Sequence, residues 1–223
     1  MARFPKLLVV LLSAAFLVAC GDDDDNRPPD NTSLVRIMHA SPDAPAVDVL
    51  VDDVVAFTNV PYPADSGYLS LLSGTRNFKV NATGTSTTVI DVSPTLIAGK
   101  SYSVFAVGFL ADIEPLLLED DRNVLATQAR IRVIHGSPDA PAVDVLVNDN
   151  LVVSNLAFKG ASSYLEVPTG DYVFKLNLTG TATTAFTSGA IALEAGKVYT
   201  AIAIGSVASG APNPLDIKLL TDK

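Results

Sequence analysis

The chain has 223 residues, 48% of them hydrophobic, 17% charged and 7% aromatic, with a net charge of −9. That apolar share excludes a wholly disordered chain, and the acidic balance excludes nucleic acid as the main partner, because phosphate binding needs a basic face. One Cys and two His exclude an intrachain disulfide and a Cys-rich zinc site, and the length fits one large or two small domains.

Residues 1–20 read as a processing signal. Arg3 and Lys6 give a positive start, and Leu7 to Val18 is an apolar run too short to span a bilayer comfortably. The run ends in Leu17-Val18-Ala19-Cys20, which resembles the lipobox of bacterial lipoproteins. That resemblance implies cleavage before Cys20 and acylation of its thiol and new amine, with several acyl chains making a firm anchor. Cleavage removes two cations and takes the charge from −9 to −11. The lipid, rather than a basic patch, is then what holds the chain to a membrane.

Residues 20–33 read as a polar tether containing the run Asp22 to Asp25, too plastic to form a calcium cage. Gly21 rather than Asp follows Cys20, which by resemblance to the sorting rule of Gram-negative lipoproteins favours the outer membrane. The acidic run resembles tethers that accompany surface export. Whether the chain faces the periplasm or the exterior stays open.

Beyond the tether one unit is written twice. Val35 to Val51 recurs as Ile131 to Val147, an offset of 96, and Ser41–Val51 is identical to Ser137–Val147. The register continues through Tyr68 with Tyr164, Gly74 with Gly170 and Phe78 with Phe174, then after one inserted residue through Tyr102 with Tyr199. A period this long is a domain duplication rather than a solenoid. The expected units are 34–123 and 130–223, joined by a linker at 124–129.

Each unit reads as β. Val47, Val49 and Val51 alternate with Asp48 and Leu50, and Asn148-Asp149 between β-branched runs marks a tight hairpin. In the first unit strands are expected near 34–40, 46–52, 54–58, 67–72, 76–82, 87–92, 100–109 and 115–119. No segment carries a sustained helical period. The expected class is all-β: two tandem antiparallel β-sandwiches, immunoglobulin-like or transthyretin-like, after a lipoprotein signal peptide. Tyr102 and Tyr199, each just after a Gly-Lys turn, resemble the tyrosine corner of such folds.

The segment Val35-Arg-Ile-Met-His-Ala-Ser-Pro-Asp-Ala-Pro-Ala-Val-Asp-Val and its second copy resemble the domain-of-unknown-function 4397 family. The resemblance spans nearly all of 34–223. It implies a secreted or cell-surface β-sandwich, often in tandem in bacterial envelope proteins, and no reaction.

The chemistry-bearing residues fall in that motif: His39, Ser41, Asp43 and Asp48, repeated as His135, Ser137, Asp139 and Asp144. A Ser-His-Asp hydrolase needs a nucleophile presented by a strained elbow beside an oxyanion hole, whereas Ser41 precedes Pro42. Ser-Pro-Asp-Ala-Pro is what a rigid inter-strand turn needs, with Pro fixing φ and the side-chain oxygens bonding backbone N–H groups. One His with one or two carboxylates makes an incomplete metal site. The motif therefore reads as a structural turn, with His39 sharing a strand face with Ser41, and no catalytic residue, metal or cofactor is assigned. Glycan binding favours stacked aromatics; the chain has no Trp, and Tyr62, Tyr68 and Tyr164 read as core. The sequons at Asn81 and Asn177 read as hairpin turns. The expected function is non-enzymatic adhesion, scaffolding or binding by a lipid-anchored envelope protein, with another envelope protein or a glycan as ligand; a glycan- or small-ligand module of an uptake system is the alternative, and a hydrolase or metal enzyme using His39 and His135 the less favoured one.

Overall fold

The computed structural model describes residues 31–223; the signal segment, Cys20 and the acidic run lie outside the described residues. The first repeat runs β1 (Thr32–His39), β2 (Val47–Val51), β3 (Val54–Val60), β4 (Asp65–Leu72), β5 (Gly74–Thr75), β6 (Phe78–Ala82), β7 (Thr88–Val92), β8 (Thr95–Leu96), β9 (Ser101–Val107) and β10 (Glu114–Asp120). The second runs β11 (Gln128–His135), β12 (Val143–Val147), β13 (Asn150–Leu156), β14 (Leu165–Pro168), β15 (Gly170–Leu178), β16 (Thr184–Leu193), β17 (Val198–Ile204) and β18 (Asp216–Thr221). The only helical piece among the described residues is a single turn at Leu110–Asp112, so none of their helices could cross a membrane.

Every strand expected in the first repeat is present, with ends moved by a few residues. β1 starts at Thr32, inside the stretch read as tether, and β11 starts at Gln128, inside the stretch read as linker. Ladder pairing carries these polar starts into the sheets: Thr32 and Ser33 lie opposite Leu72 and Leu71, and Gln128 lies opposite Pro168.

Each repeat is a two-sheet sandwich. The first has sheets ordered β10-β9-β1-β4 and β3-β2-β6-β7; the second has β14-β11-β17-β18 and β13-β12-β15-β16. All pairings are antiparallel except β1 with β9 and β11 with β17. Lettered A to H along the main strands of the first repeat, these sheets are D-A-G-H and C-B-E-F. The immunoglobulin arrangement is A-B-E-D and C-F-G, so of the two expected arrangements the transthyretin-like one matches.

Alternation places the cores. In the first sandwich Val35, Ile37, Val49, Phe78 and Ile90 pack between the sheets; Ile131, Val133, Val145, Phe174 and Leu176 do so in the second. The opposite faces of β1, β9, β11 and β17 are also buried. There Met38, Phe105 and Val107 meet Ile134, Ile202 and Leu220 in a third cluster, which joins the repeats. This is why β1 and β17 are buried almost throughout rather than at alternate residues: they are covered on both sides.

The joined sheets run in the same direction. Arg36, midway along β1, reaches the backbone and carboxylate at 221–222, which close back on Val198 at the start of β17. Pro42, beyond the end of β1, accepts a hydrogen bond from Asn213, beyond the end of β17. The molecule therefore has a proximal end, where the chain arrives at residue 31 and the linker reaches β11, and a distal end carrying both Ser-Pro-Asp-Ala-Pro loops.

Candidate functional site

Each motif loop leaves its strand at a fully buried His. His39 is the last residue of β1, and Ser41 lies past the strand rather than on a shared face. The Ser41 amide donates to His39 Nδ1 at 3.3 Å, and Nε2 donates to the Pro45 carbonyl at 3.0 Å. His135 repeats the second bond, to the Pro141 carbonyl at 3.1 Å, while its buried Nδ1 has no partner among the described residues. A carbonyl only accepts, so Nε2 carries the proton in both rings. The rings stand edge-on to Tyr62 and Phe158. Burial holds both imidazoles below the usual histidine range, partly offset by these carbonyl bonds.

The serines serve backbone as well. Ser41 and Ser137 are fully buried; Ser137 Oγ donates to the Gly205 carbonyl at 2.7 Å, and each hydroxyl also faces its own loop's Asp at 3.5 Å. Neither hydroxyl is bonded to an imidazole. Asp43 accepts the Leu110 amide at 2.7 Å, and Asp139 accepts the Ser206 hydroxyl and the Val207 amide. Burial pushes the Asp139 carboxyl up, but the bonds from Ser206 and the following amides outweigh it and hold the group low. Asp48 and Asp144 sit on the outer sheets, where each accepts two amides, Asn59 and Gly84 or Asn155 and Gly180; these bonds, Asn59 and Asn155 foremost, depress both carboxyls. The motif residues thus lie in two groups, His-Ser-Asp in the distal loop and the last Asp on the far sheet. No group of three or more metal-ligating side chains occurs among the described residues.

Two further placements correct the sequence reading. Asn81 and Asn177 are strand residues of β6 and β15, each accepting a Thr hydroxyl across the pair, rather than turn residues. Tyr68 and Tyr164 are half-buried between the repeats rather than inside a sandwich. Tyr102 and Tyr199 do bond backward, accepting the amides of Ile97 and Glu194.

The residues missed in the sequence join the repeats. Arg36 donates to Ser103 and Asp222; Ser103 donates to Asp120; Arg132 donates to Asp120 and Thr200; Thr200 donates to Asp222. These six side chains form a closed ring. Tyr68 and Tyr164 add hydroxyl bonds to Asp120 and Asp222 at 2.7 and 2.8 Å. Asp120 pairs in its sheet with Ser101 and Asp222 follows Thr221, the partner of Tyr199, so the two carboxylates are equivalent in the repeats. The contacts are reciprocal, as in a two-fold dimer. Burial opposes the charge on Arg36, but Asp222 and the neighbouring Tyr68 and Asp120 raise its pKa. Arg36 and Arg132 repeat at the offset of 96 inside apolar strands, and that was the available signal.

At the distal end the seam between repeats opens a cleft of about 220 Å³. Pro42, Phe109, Ala208 and Pro212 line it, with Asp43, Ser206 and Asn213 as polar groups. The loops are held close: a Cβ on Gly108 would stand 2.6 Å from the Asp112 carbonyl, and one on Gly205 2.2 Å from the Pro214 carbonyl. Beside the seam, burial and then the Asp216 carboxylate push the Tyr62 phenol up to about 12.

The domain of unknown function DUF4397 matches the chain twice, over residues 33–145 and 129–223. No curated protein matches it. Among solved structures, a carbohydrate-binding module of family CBM26 from Eubacterium rectale Amy13K, in complex with maltoheptaose, is 9% identical with a TM-score of 0.26, covering 86% of this chain and 97% of that one. A leucine-rich repeat protein from Bacteroides thetaiotaomicron is 14% identical with a TM-score of 0.19, covering 79% of this chain and 26% of that one. At such TM-scores neither likeness carries a functional argument.

Proposed function

Taking as premise that the chain belongs to the DUF4397 family in both of its repeats, we propose that it is a non-enzymatic envelope lipoprotein that binds another envelope component through its distal end. The observation that carries this reading is the placement of both motif loops at the end opposite residue 31. An anchor at Cys20 then leaves the distal end facing outward. The ring and the third cluster hold the two loops in one body, so a ligand meets a prearranged surface and orders little on binding.

The cleft at the seam is largely apolar with three polar side chains, the composition of a small recognition pocket rather than of an aromatic sugar platform. An envelope protein inserting an apolar side chain fits it better than a glycan. The His-Ser-Asp group supports the loops instead of reacting, because both Nε2 atoms bond backbone carbonyls, Ser137 Oγ donates to the Gly205 carbonyl, and neither hydroxyl meets an imidazole.

Photo-crosslinkers at the exposed distal residues Leu110 and Val207 are expected to capture a discrete partner in intact cells, while one at Leu117 on the flank is not. Equal capture from all three positions, or none, removes the distal site. A glycan array probed with the Cys20→Ala chain is expected to be silent; a signal abolished by Phe109→Ala makes a glycan the ligand. Labelled palmitate on the native chain, absent from Cys20→Ala, tests the anchor, and external protease on intact cells tests which side of the outer membrane the chain faces.

A further inference from the structure

Exposed large apolar side chains are unevenly placed on this molecule. Ten occur among the described residues, and seven of them lie at the proximal end. Leu72 ends β4 and Ile97 follows β8, and they flank the arriving chain: the Ser73 amide bonds the Asn31 carbonyl, and Ser33 bonds the Ile97 carbonyl. Val54 and Val55 follow the hairpin at Asp52-Asp53, which Arg76 ties to the carbonyl end of β4. The corresponding hairpin of the second repeat exposes Leu151 and Val152, and Val124 of the linker completes the set. Leu110 and Val207 are distal, and Leu117 is on the flank.

The charges at this end are largely paired. Arg76 with Asp52, Lys79 with Asp53, Lys100 with Glu119 and Lys175 with Asp149 each bring a cation to an anion. Ten residues, 21–30, separate Cys20 from Asn31. Fully extended, that stretch reaches at most about 40 Å, more than the about 27 Å of an eight-residue strand. An anchor at Cys20 therefore brings the body to the bilayer by its proximal end, and the apolar side chains there, rather than the tether length, select that end for contact.

We propose that the proximal end is a lipid-apposed face, whose Leu72, Ile97, Val54, Val55, Leu151 and Val152 seat on a zwitterionic bilayer surface. This rests on the Cys20 anchor proposed above. The four ion pairs carry no net charge, exposed Asp171, Glu194 and Lys197 add only one net negative charge, and the apolar side chains gain by leaving water. Seating fixes the body upright, so the distal loops stand off the membrane at a set height.

The chain has no Trp, so single substitutions report without background. Leu72→Trp, Leu151→Trp and, as the distal control, Val207→Trp are made in the acylated chain and reconstituted into phosphatidylcholine vesicles with brominated acyl chains. All three positions are exposed, so the fold tolerates the indole. Fluorescence at 72 and 151 is expected to fall about twofold or more relative to 207, since seated residues reach the headgroup–acyl boundary. Vesicle flotation with equal quenching at all three positions overturns the lipid-apposed face and leaves the anchor standing. Failure of the native chain to float overturns the anchor, and the seating with it.

Discussion

At the scale of single residues, the buried histidines make stability depend on pH. Burial lowers the folded pKa of His39 and His135 below the unfolded value. The unfolded chain then binds more protons between the two values, so stability is complete above the unfolded pKa of about 6.5 and falls as pH drops through it toward the folded value. Urea midpoints at successive pH values are expected to decline below about pH 6.5, and less so in His39→Ala/His135→Ala. A midpoint flat from pH 7.5 to 5 contradicts the buried neutral rings. The same substitution carries a cost at neutral pH. His39→Ala leaves the Pro45 carbonyl and the Ser41 amide without their bonds, each worth about 1–3 kcal/mol when buried.

At the scale of elements, most of the fold was legible and part of the site was not. The strands showed because valines recur at alternate positions of β2 and β12 and because Asn148-Asp149 supplies the left-handed residues of a two-residue hairpin; the structure puts Asp52, read as strand end, and Asp53 in the same role. The starts of β1 and β11 did not show, since Thr32, Ser33 and Gln128 are polar and join the sheet only through ladder partners far along the chain. The distal loops were legible as turns, but the cleft between them depends on how two repeats pack, which no local pattern encodes. Glycine placement tests that packing. Gly180 and Gly205 both have φ in the left-handed region, at 72° and 92°. A methyl group meets open space at Gly180 but the Pro214 carbonyl at 2.2 Å at Gly205. Gly180→Ala is expected to cost about 1–2 kcal/mol of backbone strain. Gly205→Ala is expected to cost more and also to loosen the 206–215 loop, seen as faster amide exchange at Leu215 and Ser206, whose amides bond across that loop.

At the scale of the molecule, the duplication has become an internal two-fold dimer, and its seam combines two kinds of interaction. The apolar part, around Met38, Phe105, Ile134 and Ile202, supplies the drive, at about 1.5–3 kcal/mol for each large side chain fully buried. The ring supplies register. Its two Arg–Asp pairs are buried, with side-chain exposures of 2% and 0% in one and 4% and 0% in the other. Such pairs add little net stability over apolar replacements, but removing one partner strands a buried charge and costs about 3–5 kcal/mol. Arg36→Ala leaves Asp222 with Thr200 and Tyr164 but no cation, so the penalty falls on the contact between repeats rather than on either sandwich core. The native chain is therefore expected to unfold in one calorimetric transition, because neither repeat exposes its inner sheet without the other. Arg36→Ala/Arg132→Ala is expected to split that transition in two, with protease cutting between residues 121 and 127 at temperatures where the native chain resists. An apolar exchange of all four charges, Arg36→Met/Arg132→Met with Asp120→Leu/Asp222→Leu, is expected to restore much of the lost stability. If the double Arg variant still melts in one step at a lowered midpoint, the apolar cluster alone couples the repeats and the ring only sets their register.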